Sequence, residues 1–420
     1  MAPVPECLLR FDMQAEDGAH CESSIVIDST VNGRSYGGLG LVREIDTESL
    51  GQVAHRKTLK SGLLGLPLGG AKAAIVAPPH ATASQVARLL SLFGQAAGPL
   101  LTTRRYSPSG ELGLDDADVH CMLSDCGVRL PRHSLRGRSS LYTGLTVALA
   151  SLAALRVAGV RLSGPTAAVE GFGKVGSATA LALHERGVKV VAVSTDMGAL
   201  FDADGLDVPD LVRRLGHHGS SFVNKHIDAD RIPAEELRRL AVDVFCPCAL
   251  PAGIDVAAVG QLRCRALVAG ANAPLQPGGE DVLVGKGVVY VPDIVASCGG
   301  MLGATLSFGG LSTSATLRFI EQRFPPLVEW LMGMAEHEGI PLHELATRYA
   351  EERFVAAKRE AERCQGRLSP FDLALRLYRR GLVPPALVRP FSTRAVAARL
   401  SPGNGTSDVV LEWAHAAGRS

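Results

Sequence analysis

The sequence predicts an α/β protein of two unequal domains, and two observations point to this class. The chain has 420 residues, which exceeds the usual size of a single domain. From Pro165 onward, short apolar runs alternate with segments of helical periodicity, which is the pattern of a parallel sheet with crossover helices. The 43 basic and 42 acidic residues leave a formal charge of +1, so neither nucleic acid nor a membrane is expected as a partner.

The first part of the chain, residues 1 to about 136, has glycine-rich turns around one apolar helix. Asp46 or Thr47 is expected to cap the start of this helix, and the Ser61-Gly62 pair is expected to stop it. Lys60 is therefore predicted to lie at a helix end.

The second part is predicted to form a sheet of buried parallel strands. A short apolar strand at 166–170, a glycine-rich turn, a helix at 175–187 and a second strand at 189–194 make a βαβ unit. Further apolar runs follow at strand-like spacing, at 242–247, 266–270 and 288–293. Because these runs are almost continuously apolar, both faces of the sheet are expected to be buried.

After Phe319 the periodicity is that of long helices, over residues 324–340 and 342–364. The last fifty or so residues are richer in Arg, Pro and Ser. They are expected to form a helical appendage or a loosely held tail.

The chain is expected to be cytoplasmic. Its N-terminus lacks the basic leader and apolar core of a targeting signal, and its longest apolar stretch, Leu141 to Leu155, is interrupted by Arg156 before it reaches bilayer length. Its nine cysteines include no metal-like CxxC pair, since a proline alone separates Cys246 from Cys248. We therefore expect buried or incidental thiols and no metal site.

A GxGxxG motif stands between the strand and the helix of the βαβ unit. Its first glycine permits a tight turn, its second lets a pyrophosphate approach the backbone, and its third lets helix and strand pack closely. The phosphates would meet N–H groups at the helix N-terminus. The residues expected to bind the dinucleotide here are Gly171, Phe172, Gly173, Lys174, Val175 and Gly176.

Asp196 lies twenty residues past Gly176, at the end of the second strand of this unit. In that position a carboxylate accepts hydrogen bonds from the adenosine ribose. A carboxylate would also repel a 2′-phosphate, so Asp196 favours NAD over NADP. Lys174 and Thr195 nearby weaken that preference, and NADP stays open as the alternative.

Lys60 and Lys72 lie twelve residues apart around a glycine turn, in an otherwise apolar stretch. Lysine is rarely buried without a role. If Lys72 lies in a water-poor cleft, burial favours its neutral form, which can act as a general base. If both lysines lie at the surface, their ammonium groups reach solvent and have no such role.

Seven motifs, in order and at matching spacing, resemble the glutamate/leucine/phenylalanine/valine dehydrogenase family over residues 31 to about 364. They are GGLGLVREID, TLKSGLLGLPLGGAKAAIV, SPSGELG, YTGLTV, VEGFGKVGSATALALHERGVKVVAVSTD, VAGANAP and VVYVPDIVASCGG. The resemblance implies a substrate, catalytic and oligomerisation domain at 1–136 and a Rossmann NAD(P)-binding domain at 137–335, with a cleft between them. It also implies that C-terminal helices, within 336–420, return to the first domain and that the chain forms a homo-oligomer.

The resemblance also implies roles for individual residues of the catalytic domain. Lys60 corresponds to the lysine that holds the substrate α-carboxylate, and Lys72 to the catalytic lysine that orients and deprotonates the attacking water. Glu111 corresponds to the aspartate that exchanges protons with the amino group. Gly69 and Gly70 would let the substrate lie against the backbone.

Two further residues match positions that the family uses near the cofactor. Thr143 corresponds to a threonine that contacts the nicotinamide region, and Asn272 to the asparagine of a GAN motif near the nicotinamide ribose. The implied reaction partners are an amino acid, its 2-oxo acid and ammonia.

The sequence departs from the family pattern at several of these positions. Glu111 is longer than the family aspartate by one methylene, about 1.5 Å. Gly40 stands where the family usually has an arginine, and Ser297 replaces an asparagine. Tyr36 and Ala304 occupy positions at which glutamate-specific members have a lysine and a serine for the side-chain carboxylate.

The substitutions at Tyr36 and Ala304 predict a substrate with an apolar or aromatic side chain, because a buried carboxylate needs a paired charge. Glutamate itself, held by some other group, is the alternative. A second alternative is a catalytically degenerate homologue that binds dinucleotide in a regulatory role.

Overall fold

The computed structural model describes residues 4–14, 20–79, 81–128, 138–225, 228–363, 377 and 382–401. The chain divides into two compact units. The first unit holds the described residues within 1–138, 304–313 and 348–420, and the second holds those within 139–303 and 314–347. The return of the chain to the first unit confirms the expected placement of the C-terminal helices.

The first unit is built around a mixed five-stranded sheet. Its elements are β1 (Cys7–Gln14), β2 (His20–Ile27), β3 (Ser35–Val42), α1 (Thr47–Leu63), β4 (Gly69–Val76), α2 (Ala83–Thr102), β5 (Ser107–Gly110) and α3 (Asp116–Asp125). The strand order is β1-β2-β4-β3-β5. β3 runs parallel to both β4 and β5, whereas β2 runs antiparallel to β1 and β4. The apolar side chains of α2 and α3 cover one face of the sheet, and those of α1 cover the other.

The second unit is a Rossmann-type sheet. Its elements are α4 (Ser139–Val157), β6 (Thr166–Glu170), α5 (Lys174–His184), β7 (Lys189–Thr195), β8 (Gly198–Phe201), α6 (Val208–His218), β9 (Asp230–Ile232), β10 (Ala241–Pro247), α7 (Val256–Gln261), β11 (Arg263–Val268), α8 (Gly279–Gly285), β12 (Val289–Val291) and α9 (Asp293–Ala296). The strand order is β12-β11-β10-β6-β7-β8-β9. Every pair is parallel except those that β8 makes with β7 and β9.

This sheet confirms the predicted βαβ unit and the three later strands. Its central strands are buried along almost their whole length, as their continuous apolar sequences predict. The sequence did not reveal β8 and β9, because strands of four and three residues carry almost no periodic signal.

The C-terminal helices are α10 (Gly299–Phe308), α11 (Thr313–Glu338), α12 (Leu342–Arg363) and α13 (Pro385–Leu400). Arg353 of α12 is buried and joins three elements. Its guanidinium donates to the carbonyl of Leu63 at 2.7 Å and to the carbonyl of Arg399 at 2.6 Å. The helical appendage predicted for the last residues is thus seen in α13, while the remaining parts of the predicted tail, residues 365–376, 378–381 and 402–420, lie outside the described residues.

The boundaries of α1 differ from prediction at one end only. Asp46 caps the helix as expected, since its carboxylate accepts from the N–H groups of the first turn. The Ser61-Gly62 stop was wrong: the helix continues to Leu63, and Gly65, with φ +62°, turns the chain. Gly62 serves packing instead, because a Cβ there would lie 2.0 Å from the carbonyl oxygen of Ala350 on α12.

The apolar helix α4 needs a second correction. It continues through Arg156 to Val157, so its 19 residues are long and apolar enough to span a membrane. Most of that apolar window, 72%, is however buried inside the protein. Arg156 also pairs with Glu329 of α11 at 3.1 Å. These features are those of a core helix.

The cysteines of the described chain are free thiols. Cys246 and Cys264 are buried in the second unit, and burial raises the pKa of each thiol to about 12.

Candidate active site

Two lysines of the first unit hold the carboxylate of Glu111. Lys57 Nζ, on α1, donates to Glu111 Oε1 at 2.8 Å. Lys72 Nζ, on β4, donates to Oε2 of the same carboxylate. All three side chains are largely shielded from solvent, with exposed fractions of 14% for Lys57, 12% for Lys72 and 24% for Glu111. The structure therefore brings together the predicted pair Lys72 and Glu111, and adds Lys57, which sequence reasoning missed.

The order of the strands explains how Glu111 reaches Lys72. Glu111 follows the end of β5, and its N–H donates to the carbonyl of Leu39 in β3 at 3.0 Å. β4 lies on the far side of β3, about 10 Å away at the usual strand spacing. The two side chains close this distance over Gly38 of β3, where a Cβ would lie 2.0 Å from Glu111 Cδ. A glycine at this position is what leaves room for the longer acid.

Opposing effects set the ionisation of Glu111. Burial raises the pKa of its carboxyl, but Lys57 and Lys72 together lower it by more, to well below its usual range. Burial also raises the pKa of Tyr36 and of Tyr106, and the Glu111 charge raises both further. At neutral pH the cluster thus contains a carboxylate beside two neutral phenols.

A hydrogen-bonded network fixes α1 against the sheet next to these lysines. The Thr58 hydroxyl donates to Asp28 Oδ2 at 2.5 Å and accepts from the N–H of Gly70 at 3.1 Å. His55 Nδ1 lies 3.2 Å from Asp28 Oδ1. Asp28 follows β2 and Gly70 lies in β4, so this stretch of α1 is held to two strands at once.

Lys60 lies two residues after Thr58 on α1 and is only 2% exposed. The interpretation in which Lys60 and Lys72 are surface lysines is therefore wrong. Lys57 and Lys60 are three residues apart, which places them on the same side of the helix. That spacing was the one signal in the sequence from which Lys57 could have been found.

Gly69 and Gly70 are required by the packing of the chain itself. A Cβ on Gly69 would lie 1.7 Å from the carbonyl oxygen of Ser29, and one on Gly70 would lie 2.2 Å from that of Ala54. The contact of the substrate with the backbone of these glycines stays a prediction.

The other positions singled out in the first unit are partly or fully buried. Tyr36 is half-buried in β3, where its phenol bonds to Ser109 and lies close to Lys57. Gly40 is buried in the same strand. Ala304 is half-buried on α10. Tyr36 thus belongs to the cluster around Glu111, whereas Ala304 comes from a separate helix.

The glycine motif of the second unit has the geometry that a dinucleotide requires. Gly171 has φ +87°, and a Cβ on Gly176 would lie 1.9 Å from the carbonyl oxygen of Gly171, so the fold needs both glycines. Gly173 caps the N-terminus of α5, and a Cβ there would meet no atom within 4 Å. The open space at this helix N-terminus fits a pyrophosphate.

Two neighbours hold this loop in place. Ser194, at the end of β7, accepts from the N–H of Gly171 at 3.1 Å through its hydroxyl, and from the N–H of Phe172 at 2.5 Å through its carbonyl. The Phe172 ring is buried, 5.6 Å from the ring of Phe222. The Phe172 side chain therefore anchors the loop and is not placed to touch a cofactor, which corrects its predicted role. Sequence reasoning also missed Ser194.

The remaining positions predicted for the cofactor lie in the second unit. Asp196 is exposed in the turn between β7 and β8, while Lys174 and Val175 begin α5. Thr143 is on α4, where its hydroxyl donates to the carbonyl of Ser139 at 2.8 Å. Asn272 lies in the loop after β11. Ser297 is buried, and its hydroxyl donates to the carbonyl of Asp293 at 3.0 Å.

Comparison with known proteins gives consistent matches. The model of the Glutamate/Leucine/Phenylalanine/Valine dehydrogenase family matches residues 137–360, and the model of the dimerisation domain of Glu/Leu/Phe/Val dehydrogenases matches residues 4–126. Glutamate dehydrogenase of Thermotoga maritima is 29% identical over 318 residues, which cover 71% of this chain and 75% of that protein.

Solved structures extend these matches. Hetero-hexameric glutamate dehydrogenase from Thermus thermophilus, in a leucine-bound form, superposes with a TM-score of 0.75 at 27% identity, covering 87% of this chain and 91% of that one. L-tryptophan dehydrogenase from Nostoc punctiforme superposes with a TM-score of 0.56 at 22% identity, covering 84% and 97%, which shows a shared fold.

Proposed function

We propose an L-amino acid with an apolar or aromatic side chain as the substrate of this chain, which belongs to the Glutamate/Leucine/Phenylalanine/Valine dehydrogenase family. As a member of that family it is an amino-acid dehydrogenase, which acts on CH–NH2 donors with a nicotinamide dinucleotide. The products of oxidative deamination are then the 2-oxo acid and ammonia. The observation that carries this proposal is Tyr36, which lies in the shielded cluster around Glu111 at a position where glutamate-specific members have a lysine. Burial raises the pKa of its phenol, so Tyr36 is neutral and offers the substrate side chain no positive charge.

The proposed chemistry assigns a separate task to each ionisable group. The ammonium of Lys60 binds the substrate α-carboxylate, which is the role that the resemblance to the family implies, and its burial would strengthen that ion pair. The Glu111 carboxylate accepts a proton from the substrate ammonium, which must be neutral before hydride can leave Cα. Lys72 orients the water that attacks the resulting imine. Its ammonium loses its anionic partner when Glu111 is protonated, and after it has released a proton to solvent the neutral amine removes the proton of that water. Glu111 returns its proton to the amino group, which leaves as ammonia.

The second unit supplies the dinucleotide site. The N–H groups at the start of α5 would hold the pyrophosphate beside Gly173, and Asp196 would accept from the adenosine ribose, which favours NAD with NADP as the alternative. A bound nicotinamide would supply the hydride acceptor for the substrate Cα. Thr143 and Asn272 are assigned to the nicotinamide end.

Glutamate is the second candidate substrate, and two observations favour it. The relatives at 29% and 27% identity are named glutamate dehydrogenases. Lys57 also lies near Tyr36, and Tyr36 stands at the position where glutamate-specific members have a lysine for the side-chain carboxylate. Against glutamate, the ammonium of Lys57 already donates to Glu111 at 2.8 Å, and a second carboxylate beside it would place a further negative charge next to that of Glu111.

A non-catalytic role in an assembly is the third candidate, because a relative forms a hetero-hexamer. The match to a dimerisation domain supports a homo-oligomer. We propose a cytoplasmic location for this homo-oligomer. The oligomeric state is measured by light scattering of the purified chain alone: a monomer would favour an assembly with a different chain.

Initial rates of cofactor reduction test the substrate assignment. Leucine, valine, phenylalanine, tryptophan and glutamate are compared by kcat/KM with NAD and with NADP. We expect an apolar amino acid to be preferred, Lys72→Ala to abolish turnover, and Lys60→Ala to raise KM more than it lowers kcat. A clear preference for glutamate would overturn the apolar assignment. Dinucleotide binding without turnover on any amino acid would favour the non-catalytic role.

A further inference from the structure

We propose that Lys57 is a positioning residue for Glu111: it anchors Oε1 of the carboxylate, so that Oε2 faces Lys72 at the reaction centre. The inference rests on the proposed function, since it concerns an acid that we assign to the reaction. Lys57 itself is given no contact with the substrate.

The length of Glu111 creates the need for such an anchor. A glutamate has one more rotatable bond than an aspartate, and its carboxylate can therefore swing further from a productive position. Gly38 lies next to the Glu111 carboxylate and has no side chain that could restrict its motion. One contact, to Lys72, would leave rotation about the last bond free. Contacts from two different elements, one to each oxygen, fix the carboxylate in both position and plane.

Hydrogen bonds connect the helix that carries Lys57 to the strand that carries Lys72. Lys57 precedes Thr58, whose hydroxyl bonds to Asp28 and to the N–H of Gly70. Gly70 is two residues before Lys72 on β4. The helix that carries Lys57 is therefore tied to the strand that carries Lys72, and the spacing of their ammonium groups follows from the backbone.

The charges around Glu111 predict a second effect of losing Lys57, a change in the pKa of Glu111, which can be measured separately from kcat. The groups that face it are Lys57 from α1, Lys72 from β4, Tyr36 from β3 and Tyr106 ahead of β5. Burial raises the pKa of Glu111, and the two lysines more than reverse that effect. Loss of Lys57 leaves Lys72 alone to oppose the effect of burial, so the pKa of Glu111 rises.

Kinetics of four full-length proteins test the positioning role: wild type, Lys57→Met, Lys57→Arg, and Lys358→Met as the matched control. Lys358 forms a half-exposed pair with Glu6 at 3.0 Å in the same unit, away from the cluster. In Lys57→Met we expect kcat to fall about 10- to 100-fold, as for displacements near 1 Å, with KM changed less than about threefold. Lys57→Arg retains most of kcat, and Lys358→Met retains it all.

A double-mutant cycle separates anchoring from substrate contact. Glu111→Asp withdraws the carboxylate by about 1.5 Å, beyond hydrogen-bond distance of Lys57. In that background Lys57→Met should therefore have almost no further effect on kcat. An equal loss in both backgrounds would mean that Lys57 acts independently of Glu111, and would overturn the proposal.

Titration of Glu111 supplies a readout that needs no turnover. Carbon-13 NMR of protein labelled at the glutamate δ carbon, with the resonance assigned by Glu111→Gln, follows this carboxyl directly. We expect the pKa to rise in Lys57→Met and to stay unchanged in Lys358→Met. If Lys57→Met does not fold, Lys57→Gln takes its place in both experiments.

The two proposals fail in different ways. An unchanged pKa of Glu111 together with unchanged kcat in Lys57→Met would refute the anchor and leave the dehydrogenase assignment intact. A raised pKa in a protein that turns over no amino acid would support the ion-pair anchor and refute the catalytic assignment instead.

Discussion

Replacing Gly173 with Val should weaken dinucleotide binding without unfolding the second unit. A Cβ on Gly173 meets no atom within 4 Å, and the backbone has φ −93°, which any residue adopts. Valine is a poor N-cap, so we expect the free energy of unfolding to fall by no more than about 1 kcal/mol. The same side chain would occupy the space at the start of α5 that the pyrophosphate needs.

The loss in affinity follows from the bonds that valine displaces. A hydrogen bond between a backbone N–H and a charged phosphate contributes about 1.5 to 3 kcal/mol. Losing one such bond raises Kd about 10- to 100-fold, since each 1.4 kcal/mol is about tenfold. Binding is measured by the fluorescence of the reduced cofactor, and stability by thermal unfolding of the cofactor-free protein.

Gly176→Ala is the matched control, three residues further along the same loop. Its Cβ would lie 1.9 Å from the carbonyl oxygen of Gly171, so it should destabilise the fold by about 1 to 3 kcal/mol through overpacking. Wild-type affinity in Gly173→Val would refute the site assignment. A loss of stability in Gly173→Val as large as that in Gly176→Ala would refute the claim that the space is open.

Two other predictions concern the first unit. Gly62→Ala should lower the free energy of unfolding by about 1 to 3 kcal/mol, because its Cβ would meet the Ala350 carbonyl at 2.0 Å. Gly51→Ala on the same helix has open space and should raise the free energy of unfolding by up to about 1 kcal/mol. Equal effects of the two substitutions in urea denaturation would contradict the packing of α12 on α1. Glu111 has a folded pKa below its ordinary value of 4.5, so its contribution to stability is complete above that pH and is lost as the pH falls towards the folded pKa. In Glu111→Gln this part of the acid-side decline in stability should be absent, and an identical pH profile in both proteins would contradict the lowered pKa.

The fold of the second unit was readable from sequence because its signals are local. The strand 166–170, the glycine turn and the following helix each have a pattern that depends on adjacent residues, and the structure has all three. The antiparallel pair of β8 and β9 was missed, because its two strands are too short to show alternation.

The cluster around Glu111 was only half readable. Lys72 and Glu111 stand in recognisable motifs, but their contact depends on β5 and β4 lying on opposite sides of β3. Lys57 has no motif of its own, and nothing short of the folded helix shows that it meets the carboxylate. In the sequence the longer acid at 111 is a departure from the family pattern, whereas the structure pairs it with a second lysine, Lys57.

The glycines show why a motif does not give its own physical reason. Gly69 and Gly70 were correctly singled out, but their missing side chains accommodate Ser29 and α1. Gly62 was taken for a helix stop and instead forms a contact with α12. In each case the partner is remote in sequence, and its distance could not be inferred from the residues alone.

The central claim is that Glu111 of this chain promotes hydride transfer from the Cα of an amino acid to the nicotinamide, because it first takes the proton from the substrate ammonium. A single-turnover reaction of the purified protein with L-leucine or L-phenylalanine deuterated at Cα, and with oxidised cofactor, measures this directly by mass spectrometry of the reduced cofactor. We expect one deuterium per reduced cofactor in the wild type and none above background in Glu111→Gln over the same time. Reduced cofactor without deuterium, or equal transfer by Glu111→Gln, would contradict the account.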